Sequence, residues 1–206
     1  MSLEGKDWIE ILARILEAFS IAVTAYFATR SLNAWRNETI GRRKLDLADA
    51  ILVAGHNARD ALAYIRRPIS CEAEGTKRGR DATEEASVAR LKDAYYVPYE
   101  RVQKTADVFA DLAKNKFLAE TYFGRDVEEA IDVLLRVRNE VLSAADILMD
   151  DVGSGDTSNE MKEIRREAKL KVYSRTKGDP LRPKIDMAVA TIDDKCGGYL
   201  RSLGGG

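Results

Sequence analysis

Apolar residues recur along this chain at intervals of three and four, the period of a helix with one buried face, and almost nowhere at the alternation of a strand. Residues 8–29, WIEILARILEAFSIAVTAYFAT, hold three charges, and Glu10, Arg14 and Glu17 fall on one stripe of a helix, where the arginine faces both carboxylates. The remaining circumference carries Trp8, Ile9, Ile11, Leu12, Ile15, Leu16, Phe19, Val23, Tyr26 and Phe27. The helical pattern continues past Trp35 without a proline until Pro68, with Leu45, Ala48, Leu52, Gly55 and Leu62 on one face and Gly41 as the expected bend. Arg66-Arg67-Pro68 closes it, since positive charge suits a helix carboxyl end and proline stops the helix.

Residues 69–83 have no apolar period and contain Gly75 and Gly79, which predicts a loop. Val88, Leu91, Tyr95, Pro98, Val102, Thr105, Phe109 and Leu112 alternate steps of four and three, so a helix packed on helices is expected from there to Phe123, kinked or restarted at Pro98. Residues 126–149 predict another helix, buried along Val127, Ile131, Leu134, Val141, Ala145 and Leu148. A loop at 150–158 offers caps to a basic helix at 158–174, and a turn at 175–183 leads to a last helix at 183–202. The fold class is therefore all-α: a long N-terminal helix running into an antiparallel bundle of about four to five helices, with residues 1–34 set apart from a bundle at 35–203.

Charge sharpens the reading of the first segment. Residues 30–44 carry Arg30, Arg36, Arg42, Arg43 and Lys44 against Glu38 alone, a net of +4, whereas residues 1–7 carry Lys6 against Glu4 and Asp7. Trp8 and Trp35 lie about 40 Å apart on a helix, close to the thickness of a bilayer with its headgroups. These features predict a membrane anchor with Trp8, Trp35, Arg36, Arg42, Arg43 and Lys44 at its interfaces. The asymmetry of lysine and arginine then places the N-terminus outside the inner membrane and the body in the cytoplasm. Against this, the uncharged run covers only residues 18–29, where a spanning helix needs roughly 20 apolar positions. The alternative is the first helix of a soluble, cytoplasmic bundle.

Composition narrows the chemistry. Of 206 residues, 33 are basic and 34 acidic, which excludes an overall basic nucleic-acid binder and makes any electrostatic function local. Cys71 and Cys196 are far apart with no second thiol beside either, so neither a disulfide framework nor a zinc motif is expected. The single histidine, His56, has no partner close in sequence and is expected to be structural or exposed. The aspartates at 150, 151 and 156 lack the spacing of a calcium loop, and Gly153-Ser154-Gly155 has no lysine placed for a P-loop. An enzymatic reading would need distant carboxylates to converge on a metal, and no Glu-x-x-His spacing supports it. No catalytic residue, cofactor, metal or small-molecule substrate is expected.

A second basic segment lies at 160–177, where seven basic residues oppose three glutamates, a net of +4. Arg165, Arg166 and Lys169 are candidate contacts to an anionic partner, although a solvated helix face is the simpler account of such a run.

The apolar run leading through Trp35-Arg36 into Gly41-Arg42-Arg43-Lys44-Leu45-Asp46-Leu47-Ala48 resembles a group of small, uncharacterised bacterial and phage-associated proteins. The resemblance covers residues 8–68 and implies a single-pass membrane helix followed by a cytoplasmic helical body. The expected function is thus a membrane-anchored, non-enzymatic protein that contacts the bilayer through its first helix. Its body would bind another protein or copies of itself. The alternative, in which nucleic acid is the lesser of the partners weighed, is a soluble helical module that binds it through 160–177.

Overall fold

The computed structural model describes residues 3–69, 74–81, 83–175 and 178–204, with side chains described in these ranges except at 3–13, 15, 203 and 204. It is all-α among the described residues. Helix α1 spans Leu3–Ile65 and runs unbroken through Gly41, which is followed by α2 (Ala86–Lys104), α3 (Ala106–Lys114), α4 (Lys116–Phe123), α5 (Arg125–Asp151) and α6 (Asn159–Val172). Helix α7 (Arg182–Ile192) continues through a π-helical turn (Asp193–Gly197) into α8 (Gly198–Gly204). The chain divides into two units, Met1–Leu45 and Asp46–Gly206.

The described residues of the first unit are helix alone, and the membrane expectation fails on them. Among the described residues no helix is long and apolar enough to cross a membrane. Arg14 and Glu17 interrupt the front of the apolar run, and alanine, serine and threonine dilute the remainder, so the length required in hydrocarbon is not reached. The expected bilayer partner and the inner-membrane location with an outer N-terminus are corrected on this finding, which removes the span that Trp35, Arg36, Arg42, Arg43 and Lys44 were expected to flank. The side chain of Trp8 lies outside the described residues. Trp35 is exposed, and Arg42 is held by Glu38 one turn back at 2.7 Å, an ordinary exposed i, i+4 pair. At Gly41 an added Cβ would meet nothing within 4 Å. Gly41→Ala is therefore expected to stabilise the helix by about 1 kcal/mol, seen as slower amide exchange around residue 41.

The second unit is organised around α5. Its residues Val127, Ala130, Ile131, Leu134, Val137 and Val141 are buried against Leu47, Ala48, Ile51, Ala54, Ala58, Ala61, Leu62 and Ile65 of α1 and Ile185, Ala188, Val189 and Ile192 of α7. Alanines on α1 allow close approach, and at Gly55 an added Cβ would lie 3.1 Å from the Cδ1 atom of Ile192. A smaller cluster joins Ala144, Ala145 and Leu148 of α5 to Ala168 and Val172 of α6 beneath Tyr95, Tyr99 and Tyr173. Burial, first, and the 2.6 Å hydrogen bond that its hydroxyl donates to Asp146 both push the Tyr99 phenol above its ordinary range.

One detail departs from the sequence pattern. Pro98 is accommodated inside α2, and the chain breaks instead at Thr105, whose hydroxyl bonds back to the Arg101 carbonyl at 2.9 Å. Helix α2 starts at Ala86, and just before it the Thr83 hydroxyl donates to the Asp81 carboxylate at 2.7 Å.

Candidate functional site

Helix α6 begins where Ser158 accepts a hydrogen bond from the Met161 N–H at 3.2 Å, the N-cap its sequence offers. The preceding loop turns at Gly153 and Gly155, both with positive φ, and is pinned by Arg165, which reaches back to both oxygens of Asp151 and to the Asp156 carbonyl. That hydrogen bond from Arg165, first among several influences, holds the Asp151 carboxyl below its ordinary range. Asp156 is lowered too, chiefly by the Ser158 N–H. The helix is thus fixed at its start by its own loop and along one side by Ala168 and Val172 in the core.

This anchoring distributes the charges. At about 100° per residue, Lys162, Arg166 and Lys169 fall within roughly 60° of one another, while Glu160, Glu163 and Glu167 gather about a third of a turn away. All six are exposed. Lys162 and Lys169 form no ion pair among the described residues, and Arg166 has only an exposed contact of 3.4 Å with Glu163. Arg165, by contrast, is only partly exposed and committed to Asp151, which makes it a positioning residue for the loop and not a free cation. Of the three residues named from sequence, the structure leaves Arg166 and Lys169 facing outward and adds Lys162 one turn before Arg166. A helical wheel of 159–172 alone would have shown Lys162; nothing in the local sequence shows that Arg165 is occupied.

The other features are structural. His56 meets Asp193 across the fold at 2.8 Å, a pairing of residues 137 positions apart, with both side chains roughly 40% exposed. Between α5 and α7 lies an open groove of about 1140 Å³ whose rim is laced with salt bridges, among them Lys184 to Glu140 and Lys195 to Asp126. Among the described residues no three histidine, cysteine, aspartate or glutamate side chains gather as a metal would require. Cys196 is buried in the core, and Cys71 lies outside the described residues.

No family model matches the chain, and no curated protein or solved structure matches it either. The resemblance to small bacterial and phage-associated membrane proteins is accordingly withdrawn: it has no matching relative behind it and, among the described residues, no spanning helix.

Proposed function

We propose that this protein is a non-enzymatic helical module that binds nucleic acid through the outward face of α6. One observation carries the reading: Lys162, Arg166 and Lys169 share a face on which no carboxylate of α6 lies, although the chain as a whole is nearly neutral. The three cations span about 10 Å of helix, comparable to three nucleotides of one strand at 3.4 Å each. Contacts of this kind recognise phosphate without reading bases, so the affinity is electrostatic and modest, and the complex forms without sequence preference.

The test is the salt dependence of binding to a labelled duplex and to a labelled single strand, followed by fluorescence anisotropy. Wild-type protein is expected to bind more weakly as salt rises. Replacing Lys162, Arg166 and Lys169 together by glutamine is expected to reduce the slope of log K against log salt by about 2 to 3, roughly 0.9 per duplex phosphate contact. Absence of binding at low salt, or an unchanged slope in the triple variant, overturns the proposal. Arg165→Gln is unsuitable here, because it also releases Asp151 and the loop.

A further inference from the structure

Among the described residues, more than half of the exposed large apolar side chains lie on the first unit, and this surface is independent of the basic face of α6. Leu16 and Phe19 are each 67% exposed, Phe27 61% and Tyr26 58%. Leu16, Phe19, Val23 and Tyr26 follow steps of three, four and three, the seam of a two-stranded coiled coil, with Phe27 beside it. We propose that residues 16–29 pair with the same segment of a second copy of this chain, antiparallel, so that Phe19 packs on Val23 of the second copy and Leu16 on Tyr26.

Three observations support this occupant. Apart from Glu17, which lies on the side of the helix away from the seam, the polar side chains of the segment are satisfied: the hydroxyls of Ser20, Thr24 and Thr29 donate to the helix's own carbonyls at 2.8–2.9 Å, and the Tyr26 hydroxyl accepts from Arg30 at 3.2 Å. Charge selects the orientation. Residues 18–29 carry none, whereas Arg30, Arg36, Arg42, Arg43 and Lys44 follow with only Glu38 to offset them. A parallel pair in register would set these cations against their own copies; an antiparallel pair places the two basic stretches at opposite ends. The area also fits. With aromatic side chains burying roughly 200 Å² when fully covered, the exposed parts of Phe19, Tyr26 and Phe27 together with Leu16 and Val23 supply about 500 Å² per copy. A total of about 1,000 Å² sits at the lower edge of specific interfaces, so the dimer is weak and concentration-dependent.

Sedimentation equilibrium of the full chain tests it. Wild type is expected to shift from monomer to dimer with concentration. Val23→Glu, which buries two charges in the seam, is expected to weaken association by at least about 100-fold. Ile21→Glu, on the outward side of the same helix, is expected to leave it unchanged. Orientation is read by oxidation in a Cys71→Ser background: a mixture of Phe19→Cys and Val23→Cys chains is expected to give the mixed disulfide, with little from either alone. Circular dichroism confirms that each variant retains its helices. A wild type monomeric at all concentrations, equal loss in Ile21→Glu, or a disulfide formed by Val23→Cys alone overturns the proposal. Flotation of a monomeric chain with phosphatidylcholine vesicles overturns it as well, because lipid would then cover the seam.

Discussion

Arg101→Ala is expected to destabilise the second unit by about 3–5 kcal/mol, the cost of breaking a buried, hydrogen-bonded charge pair by removing one partner. Arg101 is 2% exposed. Its guanidinium donates to both oxygens of Glu74, at 3.2 and 2.6 Å. It also donates to the carbonyls of Tyr64, Ile65, Arg67 and Ile69, at 3.1, 3.5, 2.7 and 2.8 Å, and lies 5.2 Å from the centre of the Tyr64 ring. The carbonyls at the end of α1 and in the residues just after it are thus served by a side chain from α2, the Tyr64 carbonyl alongside the Arg67 N–H that it also accepts at 3.2 Å. Truncation removes the shared donor of these carbonyls and the closest cation of Glu74, and opens a cavity between the helices. Arg101→Lys retains charge but not the planar fork, and is expected to recover less than half of the loss. Urea unfolding followed by circular dichroism measures both; a cost below about 1 kcal/mol for the alanine variant would show that solvent replaces the network.

Arg101 also marks where reading the sequence stops. The apolar periods located the helices well, and on α5 every position assigned to the buried face, from Val127 to Leu148, is buried. On α2 the same reasoning chose Leu91, which is 51% exposed, and missed Asp93, Glu100 and Arg101, which are buried. Their burial depends on the 74–80 stretch. Glu74, Arg78 and Arg80 supply the opposite charges, with Arg78 and Arg80 both binding Asp93, and Glu100 accepts from the Lys77 N–H at 3.0 Å. Gly75 makes this approach possible: its φ is positive, and a Cβ there would overlap the Asp93 carbonyl. A hydrophobic period cannot register ion pairs formed with a loop that has no period. The same limit hid the partner of His56, and it made Arg165 look like an available cation. On α1 the error was of another kind. Twelve uncharged residues and flanking arginines suggested a lipid environment, but a pattern of charge placement cannot supply the apolar length that a bilayer demands.

The second large effect is expected at Arg66 and Asp179, which meet at 2.7 Å with side chains only 3% exposed. Arg66 follows α1, but its positive charge serves another helix: it donates to the carbonyls of Lys171 at 2.8 Å and Leu170 at 3.2 Å, at the end of α6. The same Asp179 oxygen accepts from the N–H groups of Leu181 and Arg182 at the start of α7, at 3.0 and 3.2 Å. One ion pair therefore joins three helix termini. Its second carboxylate oxygen is buried without a hydrogen-bond partner among the described residues, so the arrangement depends heavily on Arg66. Either Arg66→Met or Asp179→Ala is expected to cost about 3–5 kcal/mol, because each strands the other charge. The double variant is expected to cost less than the sum by about 2 kcal/mol, yet not to reach wild type, since the carbonyls on α6 and the N–H groups on α7 still lose their partners. Acidification probes the same pair. Burial acts to raise the Asp179 carboxyl and is the largest single influence, but the hydrogen bond and charge of Arg66 and the two backbone donors together carry it below its ordinary value. A carboxyl lowered in the native state contributes stability that is complete above its unfolded value, about pH 4, and lost as pH falls through the native one. Asp151, Asp156 and Glu84 are lowered as well and titrate with the same sign. The loss of stability below about pH 4 should therefore be shallower in Asp179→Asn than in wild type without vanishing, and equal acid slopes in the two proteins would show that this carboxyl is not held by Arg66.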